Sequence, residues 1–268
     1  MKLKKFFTLT RAGIIESLQF RLGTLVIIAG NLLYLIVVYF LWKAIYASAG
    51  TDIVNGMTFS DTLIYLVLAT ALFNFMEMYI VWDMGRSIQS GKIAIDLLRP
   101  LEYRKYLFWS CSGSFVTQFF FTFLSTFIVV ALVTKGAIHM GINLVFFVIS
   151  VVMAVLINYS IDFLVGTICL YTESIWGINI MKQVIVMLLS GATIPLAFFP
   201  EQLDFVRLLP FASIYNVPLE LLLSGGTGMK IKEVLSMLGM QLFWCIAMSC
   251  ISKLFWKISL RQITVNGG

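Results

Sequence analysis

Long apolar runs, each close to the length that crosses a membrane, are the feature that most constrains this chain. A helix rises about 1.5 Å per residue, so a hydrocarbon layer about 30 Å thick needs roughly 20 consecutive apolar residues. Six such runs occupy more than half of the 268 residues, and only 12% of all residues are charged. The pattern predicts an all-α, polytopic membrane protein with a single transmembrane domain, 1–268. The six predicted transmembrane helices cover residues 22–46, 60–82, 107–134, 142–170, 179–198 and 233–256.

The positions of lysine and arginine predict how these spans are oriented. Cytoplasmic loops of membrane proteins carry an excess of the two residues. With the N-terminus inside the cell, fourteen of the nineteen Lys and Arg residues fall on the cytoplasmic side. We therefore expect a multi-pass protein of the cell membrane with both termini cytoplasmic. The basic residues form short clusters beside apolar runs, which favours membrane anchoring over nucleic-acid binding.

Two segments outside the spans have a pattern of their own. Residues 1–21 place apolar residues at helical spacing among basic ones, which predicts an amphipathic interfacial helix, with a solvated tail as the alternative. Residues 199–231 are apolar but contain Asp204, Arg207 and Glu220, and central charges disfavour a seventh crossing. We expect an extracellular, re-entrant helical hairpin there, packed on the outer ends of the bundle.

Residue types that make or break bonds are scarce in this sequence. His139 is the only histidine, so a cluster of metal ligands is not expected. The phosphate-binding pattern G-x-x-x-x-G-K-[ST] is absent, and so is the nucleophile pattern G-x-S-x-G. We expect a chain that is not an enzyme and that holds no metal or cofactor itself.

The few polar residues within the spans are candidates for function, because ionisable groups are costly in the membrane. Glu77 and Lys182 lie at similar depth with opposite charge, which predicts an interhelical ion pair or snorkelling to the interface. Asp162 lies deeper, with Asn158 one turn earlier on the same helical face, which predicts a polar lining or a subunit contact. A proton-coupled carrier would need such a carboxylate, so that alternative stays open.

The loop at 83–106 mixes charged with apolar residues and is too long for a simple turn, which usually takes two to eight residues. Pro100 disfavours helical geometry at Arg99, so the pattern predicts a short helix, a kink and a basic start to the next span. Anchoring to lipid would need positive charge but neither the apolar residues nor Asp96 and Glu102. A surface that docks on another protein would need both the apolar residues and the two acidic ones.

Three motifs carry a resemblance to a known family. The run I-x-x-G-x-x-x-x-D-L-L-R-P-L, from Ile88 to Leu101, resembles the cytoplasmic loop of ABC-2 type permeases. The run G-A-T-I-P-L-A-F-F-P-E-Q-L-D-F-V-R-L-L-P-F, from Gly191 to Phe211, resembles that family's end of the fifth span and its outer hairpin. A weaker match is E-S-L-Q-F-R, which ends the N-terminal segment. Their order and spacing make the chain similar to short half-transporters encoded without their ATPase.

The resemblance implies the membrane subunit of a bacterial ATP-binding cassette exporter with six helices per subunit. Two permeases, identical or paralogous, would associate with two ATP-binding subunits, which would hold the ATP and Mg. The segment 83–106 would be a cytoplasmic coupling helix seated on the ATPase, the alternative being that its arginines only meet anionic lipid headgroups. The docking residues implied are Ile88, Asp96, Leu97, Leu98, Arg99, Pro100, Leu101, Arg104 and Lys105.

The resemblance also implies a substrate path at the subunit interface, lined mainly by the first, second and fifth spans. Sparse polar residues on an apolar background suit an amphipathic or lipid-like cargo, such as an antibiotic, a peptide or a lipid. A proton-coupled secondary carrier and a non-transporting scaffold or immunity protein are the alternatives. The path candidates are Asn31, Tyr34, Asn74, Glu77, Lys182, Gln183, Met187, Ser190 and Thr193. The outer hairpin would gate the exit with Pro195, Phe199, Pro200, Pro210 and Phe211.

Overall fold

The computed structural model describes residues 2–19, 21–77, 79–134, 141–172, 174–223 and 229–262. Outside them lie His139 and parts of two predicted segments, namely residues 1, 20 and 224–228. The described chain is almost entirely helical, apart from a short hairpin of β1 (Ile53–Val54) and β2 (Met57–Thr58). Its α-helices are α1 Lys2–Gln19, α2 Arg21–Ala49, α3 Phe59–Met76, α4 Ile80–Gln89, α5 Lys92–Leu97, α6 Tyr103–Gln118, α7 Ser125–Val133, α8 Asn143–Ile168, α9 Ile175–Leu189, α10 Ala212–Leu223 and α11 Ile231–Ser259.

Five segments of the described chain are helical, long and apolar enough to cross a membrane. They confirm the all-α, polytopic prediction. The predicted fifth span, 179–198, differs, because α9 ends at Leu189 after 15 residues, about 22 Å, and the backbone reverses at Gly191. The five segments are Ala29–Ala49, Phe59–Gln89, Tyr103–Val133, Asn143–Ile168 and Ile231–Ser259.

The second span is divided into two helices. Thr58 and Asp61 form a capping box at the start of α3, with each side chain bonded to the other residue's backbone N–H. The helix ends at Met76, and α4 begins at Ile80. Past Gln89 the chain turns through Gly91, whose φ of +70° is favourable for glycine, into the short helix α5.

The segment between α9 and α11 forms a bent helical pair. The 3₁₀ helix Glu201–Leu208 meets α10 at 96°. Asn143, the first residue of α8, donates to the Leu222 carbonyl near the end of α10 at 2.7 Å. Ser150 lies seven residues after Asn143 on α8, a distance of about 10 Å. Gln241 of α11 donates to the carbonyl of Ser150 and to that of Ser213, at the start of α10. The helix α10 therefore runs back beside α8, as the predicted re-entrant hairpin does, and its extracellular position remains a prediction.

The N-terminal helix packs lengthwise on α6, and the two helices run in the same direction. The rings of Phe6 and Trp109 stack at 5.3 Å between centroids, and the hydroxyls of Ser17 and Thr117 hydrogen-bond at 2.8 Å. Phe7, on another face of α1, is 74% exposed. An apolar surface is thus available for lipid, and the interfacial position of residues 1–21 stays a prediction.

Replacing Gly113 tests this helix contact. A Cβ atom there would lie 2.3 Å from the Ile14 backbone nitrogen, and backbone cannot retreat as a flexible side chain can. We expect Gly113→Ala to separate α1 from α6 and to lower the free energy of unfolding by about 1–3 kcal/mol. Trypsin should then cleave faster after Lys5 and Arg11, which are exposed on α1. In the control Gly30→Ala the new Cβ meets nothing within 4 Å, so cleavage should not change. Equal cleavage of the two variants would contradict the contact.

The third span is longer than a membrane crossing requires. The helices α6 and α7 are joined by a π-helix at Phe119–Leu124 into one segment of 31 residues, Tyr103–Val133. At about 1.5 Å per residue its length is about 46 Å, against a hydrocarbon core of about 30 Å. About ten residues therefore extend past the hydrocarbon if the helix is upright. We expect the polar start of α6 to be the part that extends past the hydrocarbon.

Candidate functional site

The elbow, residues 83–106, consists of a helix end, a glycine turn, a short helix, a bent link and the start of α6. Helix α5 stops at Leu97, and the prediction that Pro100 prevents its continuation is confirmed. The backbone N–H of Leu98 still bonds the Ile95 carbonyl, and that of Arg99 bonds the Asp96 carbonyl. The helix axis then breaks, and α6 starts at Tyr103.

The charged residues in the middle of the elbow bind one another. Asp96 is buried and accepts hydrogen bonds from the Ser87 hydroxyl at 3.2 Å and from Arg99 Nε at 3.0 Å. The Arg99 guanidinium also lies over the Tyr106 ring, 4.4 Å from its centroid. Asp96 and Arg99 therefore hold the kink together, and Arg99 already has an internal partner for its charge.

The two basic residues at the start of α6 have different surroundings. Arg104 donates to the Ser249 carbonyl at 2.9 Å and to the Ser160 hydroxyl at 3.0 Å, which ties α6 to α8 and α11. The Tyr159 hydroxyl donates in turn to the Arg104 carbonyl. Lys105 pairs with Glu102 at 2.7 Å in an exposed ion pair. Of these two cations, Lys105 is the one at the surface.

Apolar side chains form the tip of the elbow. Leu98 is 85% exposed and Ile95 is 66% exposed, whereas Leu97 packs partly buried against the core. Ile95 is not among the predicted docking residues, although its place three residues before Leu98 would put the two side chains side by side on a short helix. The predicted docking residues thus divide into an exposed tip with Leu98 and Pro100, and inward contacts that hold the elbow. The inward set comprises Ile88, Asp96, Leu97 and Arg104.

A polar cluster, made of Glu77, Asn158, Asp162, Lys182 and Gln183, surrounds the gap between α3 and α4. The buried Asn158 donates from Nδ2 to the Met76 carbonyl at 2.8 Å and so satisfies a carbonyl that the interrupted helix leaves free. Gln183 donates to the Glu77 carboxylate at 3.3 Å. Three helices, α3, α8 and α9, are thereby joined at the interruption.

The ion pair in this cluster is not the one expected from depth alone. Lys182 Nζ lies 2.9 Å from Asp162 Oδ1, with the lysine side chain 10% and the aspartate side chain 0% exposed. The predicted pairing of Lys182 with Glu77 is therefore wrong. Asp162 Oδ2 has no hydrogen-bond partner among the described residues. A buried carboxylate with one free oxygen depends on its lysine for compensation.

The path candidates occupy several separate parts of the described chain. Glu77, Lys182 and Gln183 belong to the polar cluster. Asn74 lies one turn before Glu77 and donates to the Thr70 carbonyl of its own helix at 2.9 Å. Away from the polar cluster, the side chains of Tyr34 and Thr193 form a hydrogen bond. The remaining candidates are scattered, with Asn31 partly buried, Met187 exposed and Ser190 buried.

An open groove of about 450 Å³ between α2 and α3 contains none of these path candidates. Apolar side chains provide nearly all of its surface. Such a groove accommodates hydrocarbon better than a polar solute. Its lining residues are Leu32, Leu35, Ile36, Val38, Tyr39, Phe40, Leu63 and Val67.

The region of the predicted gate is anchored at the turn after α9. The buried Tyr65 hydroxyl lies 3.0 Å from the Gly191 carbonyl oxygen and 3.1 Å from Asn216 Oδ1. Gly191 has a φ of +80°, and a Cβ there would lie 2.9 Å from the Tyr65 hydroxyl. Tyr65 thus fixes the turn to α3 and α10. Of the gate candidates, Pro195 and Pro210 are buried, Phe199 and Phe211 are half-buried, and Pro200 is exposed.

The described residues include no group of three or more His, Cys, Asp or Glu side chains that could hold a metal ion. A family model described as ABC-2 family transporter protein matches residues 32–267, which include the elbow, the polar cluster and the hairpin. Searches of curated proteins and of solved structures find no match.

Proposed function

The chain belongs to the ABC-2 family of transporter proteins, and on this basis we propose that it is the permease subunit of an exporter driven by a separate ATPase. The observation that carries the proposal is the apolar tip of the elbow. Leu98 and Ile95 expose large apolar side chains on a short helix braced by the Asp96–Arg99 pair. Exposed apolar residues on a rigid support are typical of an interface.

The elbow is suited to receive force from a partner. Asp96 and Arg99 fix its kink, and Arg104 fixes its end to α8 and α11. A partner that displaces Leu98 would therefore move the start of α6 and the end of α4 together. Coupling of this kind requires that the partner contact the tip differently in its ATP-bound and ADP-bound states. Two ATP-binding subunits, each with ATP and Mg, would act on two permeases, identical or paralogous.

The cargo that this proposal assigns is amphipathic or lipid-like, such as an antibiotic, a peptide or a lipid. The apolar groove between α2 and α3 supports this class, because it can accept a hydrocarbon chain. The polar cluster at the end of α3 would meet a polar group of the cargo. Export out of the cell, across a bacterial cell membrane with both termini cytoplasmic, is part of the same proposal.

Purification of the tagged full chain from its native membranes in mild detergent tests the proposal. We expect an ATP-binding subunit to co-purify in equal number and its ATP hydrolysis to depend on the chain. Transport into inverted vesicles should need ATP and persist when the proton gradient is collapsed. A chain that purifies alone and transports only with a proton gradient would replace the exporter with a carrier. A stable chain that neither binds an ATPase nor transports would indicate a scaffold.

A further inference from the structure

A second pocket lies beside the elbow, at the start of α6. Its volume is about 230 Å³, and α6, α8 and α11 form its walls. It combines cations, hydroxyl groups and aromatic rings, unlike the apolar groove between α2 and α3. The lining residues are Glu102, Arg104, Lys105, Phe108, Trp109, Leu156, Tyr159, Ser160, Ser249 and Lys253.

The pocket has an excess of positive charge. Arg104, Lys105 and Lys253 face a single carboxylate, Glu102, so the formal charge of the lining is +2. The hydrogen bond from Lys105 holds the pKa of Glu102 below its usual value, with the charges of Lys253 and Arg104 acting in the same direction. All three cations are therefore close enough to act on one anion. A bound anion would meet the same field.

The donors are held in different ways. Arg104 uses its NH1 and NH2 groups on Ser249 and Ser160, which fixes the guanidinium while leaving other N–H groups of its five for a ligand. Among the described residues, Lys105 forms an ion pair with Glu102 alone, and exposed pairs of this kind contribute little. A phosphate could therefore draw Lys105 and the exposed Lys253 toward a fixed arginine at low cost.

The position of the pocket on the third span suits the level of the lipid headgroups. The third span exceeds the hydrocarbon thickness by about ten residues, and four of the first seven residues of α6, up to Trp109, line the pocket. Tryptophan is enriched at the membrane interface. Two turns deeper than Lys253 on the same face of α11, Ile246 is 58% exposed and offers apolar surface to an acyl chain.

We propose that this pocket binds the phosphate of an anionic phospholipid from the adjoining leaflet, with an acyl chain along α11. The phosphate would contact Arg104, Lys105 and Lys253, and Glu102 would oppose it. Basic pockets between transmembrane helices at the cytoplasmic face bind such headgroups. The inference goes beyond the proposed function, because lipid binding needs neither cargo nor ATPase.

Native mass spectrometry of the full chain in detergent, with added dioleoylphosphatidylglycerol, tests the proposal. We expect Lys253→Ala to weaken binding about fivefold, which matches the contribution of one lysine near an anionic surface. Glu102→Gln should strengthen binding, because it removes the only opposing charge in the pocket. Dioleoylphosphatidylcholine should bind both variants and the unchanged protein equally and weakly.

The matched control is Lys257→Ala, one turn further along α11, which removes an exposed lysine outside the pocket. It should change binding less than twofold. An equal loss in the Lys253 and Lys257 variants would mean that a general basic surface, and not the pocket, attracts the lipid. Inorganic phosphate should not compete at millimolar concentration. Competition by phosphate alone would overturn the lipid assignment in favour of a soluble anion.

Discussion

Leu98→Asp is expected to abolish binding of the ATPase without unfolding the permease. The side chain is 85% exposed, so the substitution leaves no cavity and buries no charge in the isolated chain. A carboxylate at the centre of an apolar interface would have to be desolvated without a partner. Loss of a central contact of this kind typically weakens association about thirtyfold or more. Co-purification of the ATPase and ATP-dependent transport should disappear together, while the amount of permease in the membrane stays constant.

The control for this variant is Leu203→Asp, which changes the same residue type at a 40% exposed position on the hairpin. ATPase binding should be unaffected there. Ile95→Asp should behave like Leu98→Asp, because both side chains belong to the exposed tip. If the ATPase still bound the Leu98 variant with unchanged affinity, the elbow would not be its docking site.

Lys182→Met is expected to destabilise the permease by about 3–5 kcal/mol, because it leaves Asp162 buried without a compensating charge. The free energy of unfolding is measured in mixed micelles of a mild detergent and a denaturing detergent. The double variant Asp162→Asn with Lys182→Met removes both charges and should recover most of the loss, since buried ion pairs contribute little over neutral substitutes.

Two further variants show whether the effect belongs to this pair. Asp204→Asn weakens the exposed pair with Arg207, in which Nε and Oδ1 lie 2.8 Å apart, and should cost at most about 1 kcal/mol. Glu77→Gln should cost about as little, because the direct ion pair of Lys182 is with Asp162 and Glu77 is hydrogen-bonded by Gln183. A loss for Glu77→Gln as large as that for Lys182→Met would restore the pairing that depth alone suggests.

Much of the fold can be predicted because local chemistry determines it. Apolar runs predict the spans, and Pro100 ends α5 after about one and a half turns. Each of these features acts within a few residues of its effect. These features can therefore be predicted from the sequence alone.

The unexpected features depend on partners distant in sequence. The second span breaks after Met76 without proline or glycine, and it is Asn158 of α8 that satisfies the broken end. Helix α9 ends at Leu189, short of the predicted end of the fifth span, where the chain turns at Gly191 and Tyr65 of α3 binds the Gly191 carbonyl. The depth of Lys182 is readable from its span, but which carboxylate it faces depends on the rotation of α8 against α9. Position along a span does not determine that rotation.

The interruption after Met76 separates the crossing into two mechanical parts. On the α4 side of the interruption, Gly85 lets α4 pack closely against Ile175 of α9, and Gly166 lets α8 pack closely against Met84 of α4. These three helices are therefore tightly packed together. On the α3 side of the interruption, the Tyr65 hydroxyl binds the turn at Gly191. We expect the interruption to act as a pivot at which α4 tilts against α3 when the elbow is pushed, because no helical backbone joins the two helices there.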